Sequence, residues 1–318
     1  MNFKRTTIIV LLVLLTAELK AQDTGSGLDF LNIGPSTRIL SLGEATTATP
    51  TGSSAIYTNP ALLVWEDRSS ADASYTLWIA DVANQSATVN LPKNNYTLAF
   101  GVYNSRSGGF EARDNPGDAA GTFSIGYLSL AAATAYKIGP VSFGITGQFI
   151  REEVFQFRAN GFAVSAGTVL NLMNERVRLG AAIQNLGEMD DLNNESTQLP
   201  SNFRFGLMAD LIEFVTPGVN DLPVLLSIHA DYTKAINDLP RSDYAGSDDD
   251  GDDFFVVAMS AKFSELFYLQ SGYKFGPTER PFSIGAGIDV APITVNYAFV
   301  PFSTGFGNVH SIGIQYYF

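Results

Sequence analysis

The stretch Phe282-Ser283-Ile284-Gly285-Ala286-Gly287-Ile288-Asp289-Val290 decides the fold. Its apolar residues occupy every second position, and Ser283, Gly285, Gly287 and Asp289 fill the places between. A period of two is a β-strand with one apolar face and one small or polar face. The pattern recurs upstream. Leu226, Ile228, Ala230 and Tyr232 alternate with Ser227, His229, Asp231 and Thr233, and Phe203, Phe205, Leu207 and Ala209 with Asn202, Arg204, Gly206 and Asp210. Val141, Phe143, Ile145 and Phe149 alternate in the same way with Ser142, Gly144, Thr146 and Gln148. A soluble sheet turns charged residues outward. Here the second face is Gly, Ser, Thr and Asn, which suits a crowded or wet lumen, with the apolar face in lipid. Lipid offers the backbone no hydrogen-bond partners, so such a sheet has to close.

Fourteen segments of this kind run over residues 71–79, 85–91, 95–104, 121–137, 141–153, 160–172, 176–185, 202–211, 223–233, 253–263, 265–275, 281–290, 292–300 and 308–318. An even count is what a single-chain bacterial barrel needs. Connections after even segments are mostly tight (Pro92-Lys93-Asn94, Gly139-Pro140, Asn174-Glu175, Ser264, Ala291). The long ones, Ser105 to Ala120, Leu186 to Ser201 and Lys234 to Asp252, follow odd segments. Short turns at one end and long loops at the other are the outer-membrane arrangement, with the long loops outward. Ile212 to Leu222 is a long connection on the short-turn side and breaks the pattern. The fold class is all-β: a closed 14-stranded antiparallel transmembrane β-barrel over residues 71–318, with residues 22–70 as an N-terminal plug inside it.

Composition agrees. Charged residues are 16% and aromatics 12%, so the chain is not of a disordered class. A net charge of −13 opposes nucleic-acid binding, which needs a basic face. There is no cysteine, which removes disulfides, thiolate metal sites and cysteine nucleophiles. Lys4 and Arg5, the apolar run Thr6 to Ala17, and Leu19-Lys20-Ala21 read as a secretory signal peptide, residues 1–21, cleaved after Ala21. Tyr75, Trp78, Tyr103, Tyr127, Tyr273 and Phe275, near segment ends, are expected to form interface belts.

The chain ends Ser311-Ile312-Gly313-Ile314-Gln315-Tyr316-Tyr317-Phe318. Gly313, Tyr316 and terminal Phe318 resemble the outer-membrane insertion signal, read transiently by the assembly machinery through edge pairing and aromatic pockets. Deletion of Phe318 is expected to slow membrane assembly while export to the periplasm continues. Normal surface levels of the truncated chain would count against this reading.

Residues 22–70 do not alternate. Phe30-Leu31-Asn32-Ile33-Gly34-Pro35-Ser36-Thr37-Arg38 followed by Ser41-Leu42-Gly43-Glu44-Ala45 resembles the start of PorV/PorQ-family proteins. Asn59-Pro60-Ala61 is similar to the Asn-Pro-Ala turn in the plug of FadL-type transporters. Thr51 to Ala55 stands where relatives often carry acidic residues, which are missing here. The resemblance implies a fourteen-stranded FadL-like barrel. It implies an accessory protein of the type IX secretion system in the outer membrane of a Gram-negative, Bacteroidota-like bacterium. Its partners would be an SprA-type translocon or other type IX components, and outer-membrane lipid. The alternative is a FadL-like transporter that takes hydrophobic solutes from outside and releases them laterally through the wall.

On the residues themselves, Pro60 fixes φ, keeps Asn59 extended and can open a short helix, so Asn59, Pro60 and Ala61 make a plug corner with a gate as the sharper reading. Arg38 is expected to pair with a lumen acid such as Asp210, Asp231 or Asp289. Asp248, Asp250 and Asp252 in the run Asp248 to Asp253 are a weak Ca²⁺ candidate, but no Glu closes a calcium loop, and a solvated acidic loop is the simpler reading. The two histidines, His229 and His310, sit in no catalytic pattern, so no enzyme is expected. No cofactor is expected beyond lipid or detergent in the barrel.

Overall fold

The computed structural model describes residues 28–112, 121–192, 195–215, 223–236, 253–264, 266–276, 278–303, 305 and 307–318. The strands are β1 (Ser70–Leu77), β2 (Ala83–Lys93), β3 (Tyr96–Ala112), β4 (Gly121–Ile138), β5 (Val141–Val154), β6 (Phe157–Leu172), β7 (Val177–Met189), β8 (Asp191–Leu192), β9 (Glu195–Ser196), β10 (Asn202–Val215), β11 (Pro223–Ala235), β12 (Phe254–Phe263), β13 (Phe267–Phe275), β14 (Phe282–Val290), β15 (Ile293–Pro301) and β16 (Asn308–Tyr317). All but β8 and β9 form one closed antiparallel barrel of fourteen strands. Closure is made by β1 on β16, from Ser70 opposite Tyr317 to Leu77 opposite His310. The expected signal peptide and the Asp248, Asp250 and Asp252 run lie outside the described residues.

The stretch that opened the argument is β14. Phe282, Ile284, Ala286 and Ile288 are exposed, and Ser283, Gly285 and Gly287 are buried. Apolar outside and small inside inverts the soluble pattern, as a lipid-facing wall requires. At the C-terminus Ile312, Ile314, Tyr316 and Phe318 share the outer face, and the Tyr316 and Phe318 rings stack at 5.9 Å.

Three expectations about connections change. The supposed loop from Ser105 starts only after Ala112, because β3 continues to pair with β4 from Arg106–Gly126 to Ala112–Gly121. Apolar alternation ends where lipid ends, but a backbone ladder continues in water whatever the side chains. For the same reason Leu186–Met189 belongs to β7, and β8–β9 is a small hairpin within the 186–201 connection. The Ile212–Leu222 connection is partly strand: β10 passes a bulge between Asp210 and Ile212 and pairs with β11 as far as Val215–Pro223. β7 leaves this ladder at Val177–Ala209, so the hairpin stands taller than its neighbour.

The aromatic expectation also divides. Tyr75, Tyr273 and Phe275 are exposed on the outer face. Tyr103 and Tyr127 have the opposite strand parity and meet Phe30 inside, with ring centroids 5.4 and 5.1 Å away. Trp78 contacts Phe302 edge-on at 5.7 Å.

Residues 28–69 are tied to the inner wall all around the ring. The Thr37 amide donates to Ser74 Oγ on β1, and Thr37 Oγ1 lies 2.7 Å from Ser311 Oγ on β16. Ser41 Oγ donates to Gln270 Oε1 on β13 at 2.6 Å. The amides of Thr46 and Thr47 donate to Asp231 Oδ2 on β11. Trp65 Nε1 donates to Ser142 Oγ on β5, and Asn90 Nδ2 on β2 donates to the Leu63 carbonyl. Contacts on opposite sides of a closed wall place this inner segment in the lumen. It is built from short turns: Ser36 caps the helical turn Thr37–Ser41, and Asn59 with Pro60 opens the turn Pro60–Trp65. Ile56, Leu62 and Leu63 pack on Ala99, Ala131 and Ala133 of β3 and β4. Small wall residues leave the room that this segment fills.

Candidate functional site

The long-connection end of the barrel holds a cavity of about 350 Å³. Ile33 comes from the inner segment, Trp78 and Ile79 from the β1–β2 connection, Phe254 from β12 and Phe302 from the β15–β16 connection. These side chains make an apolar, aromatic wall. Lys274 and Arg280 supply the charged part of the lining. Arg280 lies 5.0 Å from the centre of the Trp78 ring, and Lys274 Nζ lies 4.2 Å from that of Phe254. Both are cation–π distances.

Below the cavity is an ionic floor. Glu44 Oε2 is 2.6 Å from Lys274 Nζ, and Glu44 Oε1 is 2.9 Å from Arg280 Nη1. The Gly34 amide donates to the same Oε1 at 2.9 Å. Arg204 Nη2 donates to the Glu44 carbonyl and lies 3.1 Å from Asp231 Oδ2. Burial works to raise the Glu44 carboxyl, but the Arg280 and Lys274 cations outweigh it and hold the group well below the usual carboxylate range. Under this floor is a void of about 40 Å³, bounded by Gly34, Ile39, Tyr57 and Arg204 among others. It has room for water but not for a solute.

The sequence-derived candidates mostly lie away from this cup. Asn59 is fully buried; its Oδ1 accepts from the Ala61 amide, and its Nδ2 donates to the carbonyls of Thr47 and of Thr168 on β6. Pro60 and Ala61 press on Gly144 of β5. The three residues form a corner braced against the wall.

Arg38 makes no ion pair among the described residues, contrary to expectation. Asp231 is occupied by Arg204 and two amides, Asp210 accepts from Ser227, and Asp289 accepts from Thr294. The Arg38 guanidinium lies instead 5.5 Å from the centre of the Tyr268 ring. Gly313 faces inward, where it leaves space for Thr37. His229 sits between Thr49 Oγ1 at 2.8 Å and Ser260 Oγ at 3.0 Å, and His310 meets the Tyr297 hydroxyl at 2.7 Å. Among the described residues no group of three or more His, Asp or Glu converges as a metal site would.

Sequence reasoning missed Glu44, Arg204, Lys274 and Arg280 as a unit. A signal was present. Arg204 and Lys274 stand at inward positions of alternating strands, where the neighbours are small or neutral. A cation on a lumen face asks for an acid inside, and Glu44 belongs to the non-alternating segment.

No protein-family model matches the sequence, and no curated protein is significantly similar to it. Among solved structures, the toluene transporter TodX of Pseudomonas putida superposes with a TM-score of 0.56 at 13% identity, over 93% of this chain and 98% of that one. The toluene transporter TbuX of Ralstonia pickettii gives 0.55 at 12% identity, over 90% and 98%. A Pseudomonas aeruginosa FadL homologue gives 0.50 at 11% identity, over 88% and 98%. At these identities the likeness is one of fold: the chain is a closed fourteen-stranded barrel of FadL-like architecture.

Proposed function

We propose that this chain is a FadL-like outer-membrane barrel of a Gram-negative bacterium that admits small hydrophobic solutes from outside. The observation that carries the reading is the outward cup, aromatic on its sides and seated on an inner segment held by noncovalent ties. A solute would rest against Trp78, Phe254 and Phe302, and the inner segment, acting as the plug, would have to shift for passage. The neighbours of the same fold that are toluene transporters make toluene a sensible first probe.

The chain has two tryptophans, Trp65 and Trp78. In a Trp65→Phe background, toluene is expected to change the emission of Trp78. Trp78→Ala together with Phe302→Ala is expected to weaken uptake about five- to tenfold, as loss of ~1 kcal/mol of aromatic contact implies. Unchanged emission together with unchanged uptake would remove the basis for this function.

The type IX secretion accessory is the second reading. It rests on the Phe30–Arg38 and Ser41–Ala45 resemblance, and one feature of the wall favours it. Every neighbouring pair of the fourteen barrel strands is hydrogen-bonded, with register shifts only at β3–β4, β6–β7 and β10–β11, so the described wall shows no open seam for lateral release. On this reading function lies in protein contacts at the outward end. Gentle purification from the native membrane would then bring down translocon or cargo, and loss of the cup aromatics would leave that association intact.

A further inference from the structure

The outer wall carries a second feature, independent of the cup. Strand registers place lipid-facing residues of β3, β4, β5 and β6 in rows. Arg106, Gly126, Glu153 and Arg158 form one row, and Asn104, Leu128, Arg151 and Asn160 the next. Val102, Leu130, Phe149 and Phe162 follow, then Phe100, Ala132, Gly147 and Val164. Polarity therefore changes from charged to wholly apolar between the second and third rows. The charged rows lie toward the end where β3 and β4 rise highest and the long connections emerge. This is the outward end.

Two hollows follow the same order. An apolar groove of about 400 Å³ is floored by Ala132 and Gly147 and walled by Leu130, Phe149, Phe162 and Val164. Beyond the charged rows a polar hollow of about 560 Å³ is lined by Arg106, Thr122 and Ser124 with Phe155 at its side.

Three arginines thus cluster on one stretch of lipid-facing wall in a chain of net charge −13. Only Arg158 has an acid, Glu153 at 2.9 Å. Arg151 Nε donates to Asn160 at 3.1 Å and Arg106 Nη2 to Ser124 at 3.3 Å, both neutral partners. Neither makes an ion pair among the described residues. Glu188, opposite Phe162, is the acid at the flank of the groove. Glu111, opposite Thr122, is the acid at the far side of the hollow, so the arginines left with neutral partners, Arg106 and Arg151, and not a net charge, mark the face. Guanidinium pairs match phosphate in geometry and in charge.

We infer that this face binds a phosphorylated, multi-acyl glycolipid of the outer leaflet, of the lipid A type. Acyl chains lie in the groove over Ala132 and Gly147, and phosphates meet Arg106, Arg151 and Arg158. Lipid is the occupant because the groove lies on the apolar outer face of a closed barrel, and Arg106 and Arg151, hydrogen-bonded only to neutral groups, are placed to take the phosphates of an anionic headgroup at the outer leaflet. The inference does not depend on what passes through the cup.

The test uses the full barrel in mild nonionic detergent, with hexa-acyl bisphosphorylated lipid A as the probe. Retention of lipid A is expected to fall at least tenfold in the triple variant Arg106→Gln, Arg151→Gln, Arg158→Gln. Gly147→Phe, which fills the groove and keeps the charge, is expected to lower it as well. Dephosphorylated lipid A is expected to bind the unaltered protein as poorly as lipid A binds the triple variant. Heat-dependent gel mobility reports whether each variant closes. Competition by phosphatidylglycerol on the unaltered protein needs no variant. Equal retention by the triple variant, or equally strong competition by phosphatidylglycerol, overturns the site. So does a photo-crosslinker at position 147 that captures a protein and no lipid in native membranes. Trp78 emission with toluene, read in the same variants, separates failure of this site from failure of the cup.

Discussion

Replacing Glu44 with alanine is expected to unseat the inner segment. The change leaves Lys274 and Arg280 beneath the cup without their carboxylate, with Lys274 only 6% exposed. Removing one partner of a buried ion pair costs ~3–5 kcal/mol, because the charge left behind is neither hydrated nor paired. The strands keep their own ladders, so the barrel is expected to stay closed while residues 28–69 become open to protease. Replacing Glu44 and Lys274 together with apolar residues of similar size is expected to cost less, since the buried Lys274 cation is then no longer left without a carboxylate. Protection from protease unchanged in Glu44→Ala would mean that the ionic floor holds nothing.

Acid is expected to act in the same direction. The folded Glu44 carboxyl titrates below its ordinary value of ~4.3. Its contribution to stability is therefore fully present above that ordinary value and is lost as pH falls through the lower folded value. Loss of the Glu44 tie to the inner segment is expected to begin below about pH 4.

A valine at Gly180, or at Gly144, is expected to expel the inner segment more completely. A side chain at Gly180 would place Cβ 2.2 Å from the Thr47 carbonyl oxygen. At Gly144 it would lie 2.4 Å from the Pro60 carbonyl carbon and 2.5 Å from the Ala61 nitrogen. All are backbone atoms, which cannot rotate aside as a long side chain can. Overpacking a filled interior costs ~1–3 kcal/mol, and contact with fixed backbone puts these two at or above the upper end. Circular dichroism is expected to show a β-barrel in both variants, with trypsin now cutting at Arg38. The control is Gly147→Ala on the outer face, where nothing lies within 4 Å of the added Cβ, and it is expected to behave as the parent. A protected inner segment in Gly180→Val would show that the wall gives way there.

The barrel could be read from the chain because a strand repeats every two residues and lipid forces a binary choice at each position. Phe282 to Val290 carries that choice without interruption, and all fourteen expected segments lie at barrel strands. Ends were less legible. Ser105 to Ala112 lost the apolar alternation and still paired, because hydrogen bonding above the lipid does not need it. At Tyr103 and Tyr127 strand parity decides: being aromatic near a strand end counts for less than which face the residue occupies, and both meet Phe30 inside.

Local sequence determined the strands, their two faces, the tight turns and the corner at Asn59-Pro60-Ala61, since each depends on neighbours within a few residues. Which inner residue meets which wall residue was decided only by closure of the ring. Glu44 and Arg280 are 236 positions apart, and Thr37 and Ser311 are 274 apart. The partners of Arg38 show the same limit. Charge said that it wanted an acid, but Asp231 had already gone to Arg204 and to the amides of Thr46 and Thr47. Competition for a shared buried partner is settled by distance in the folded barrel, and no period along the chain encodes it.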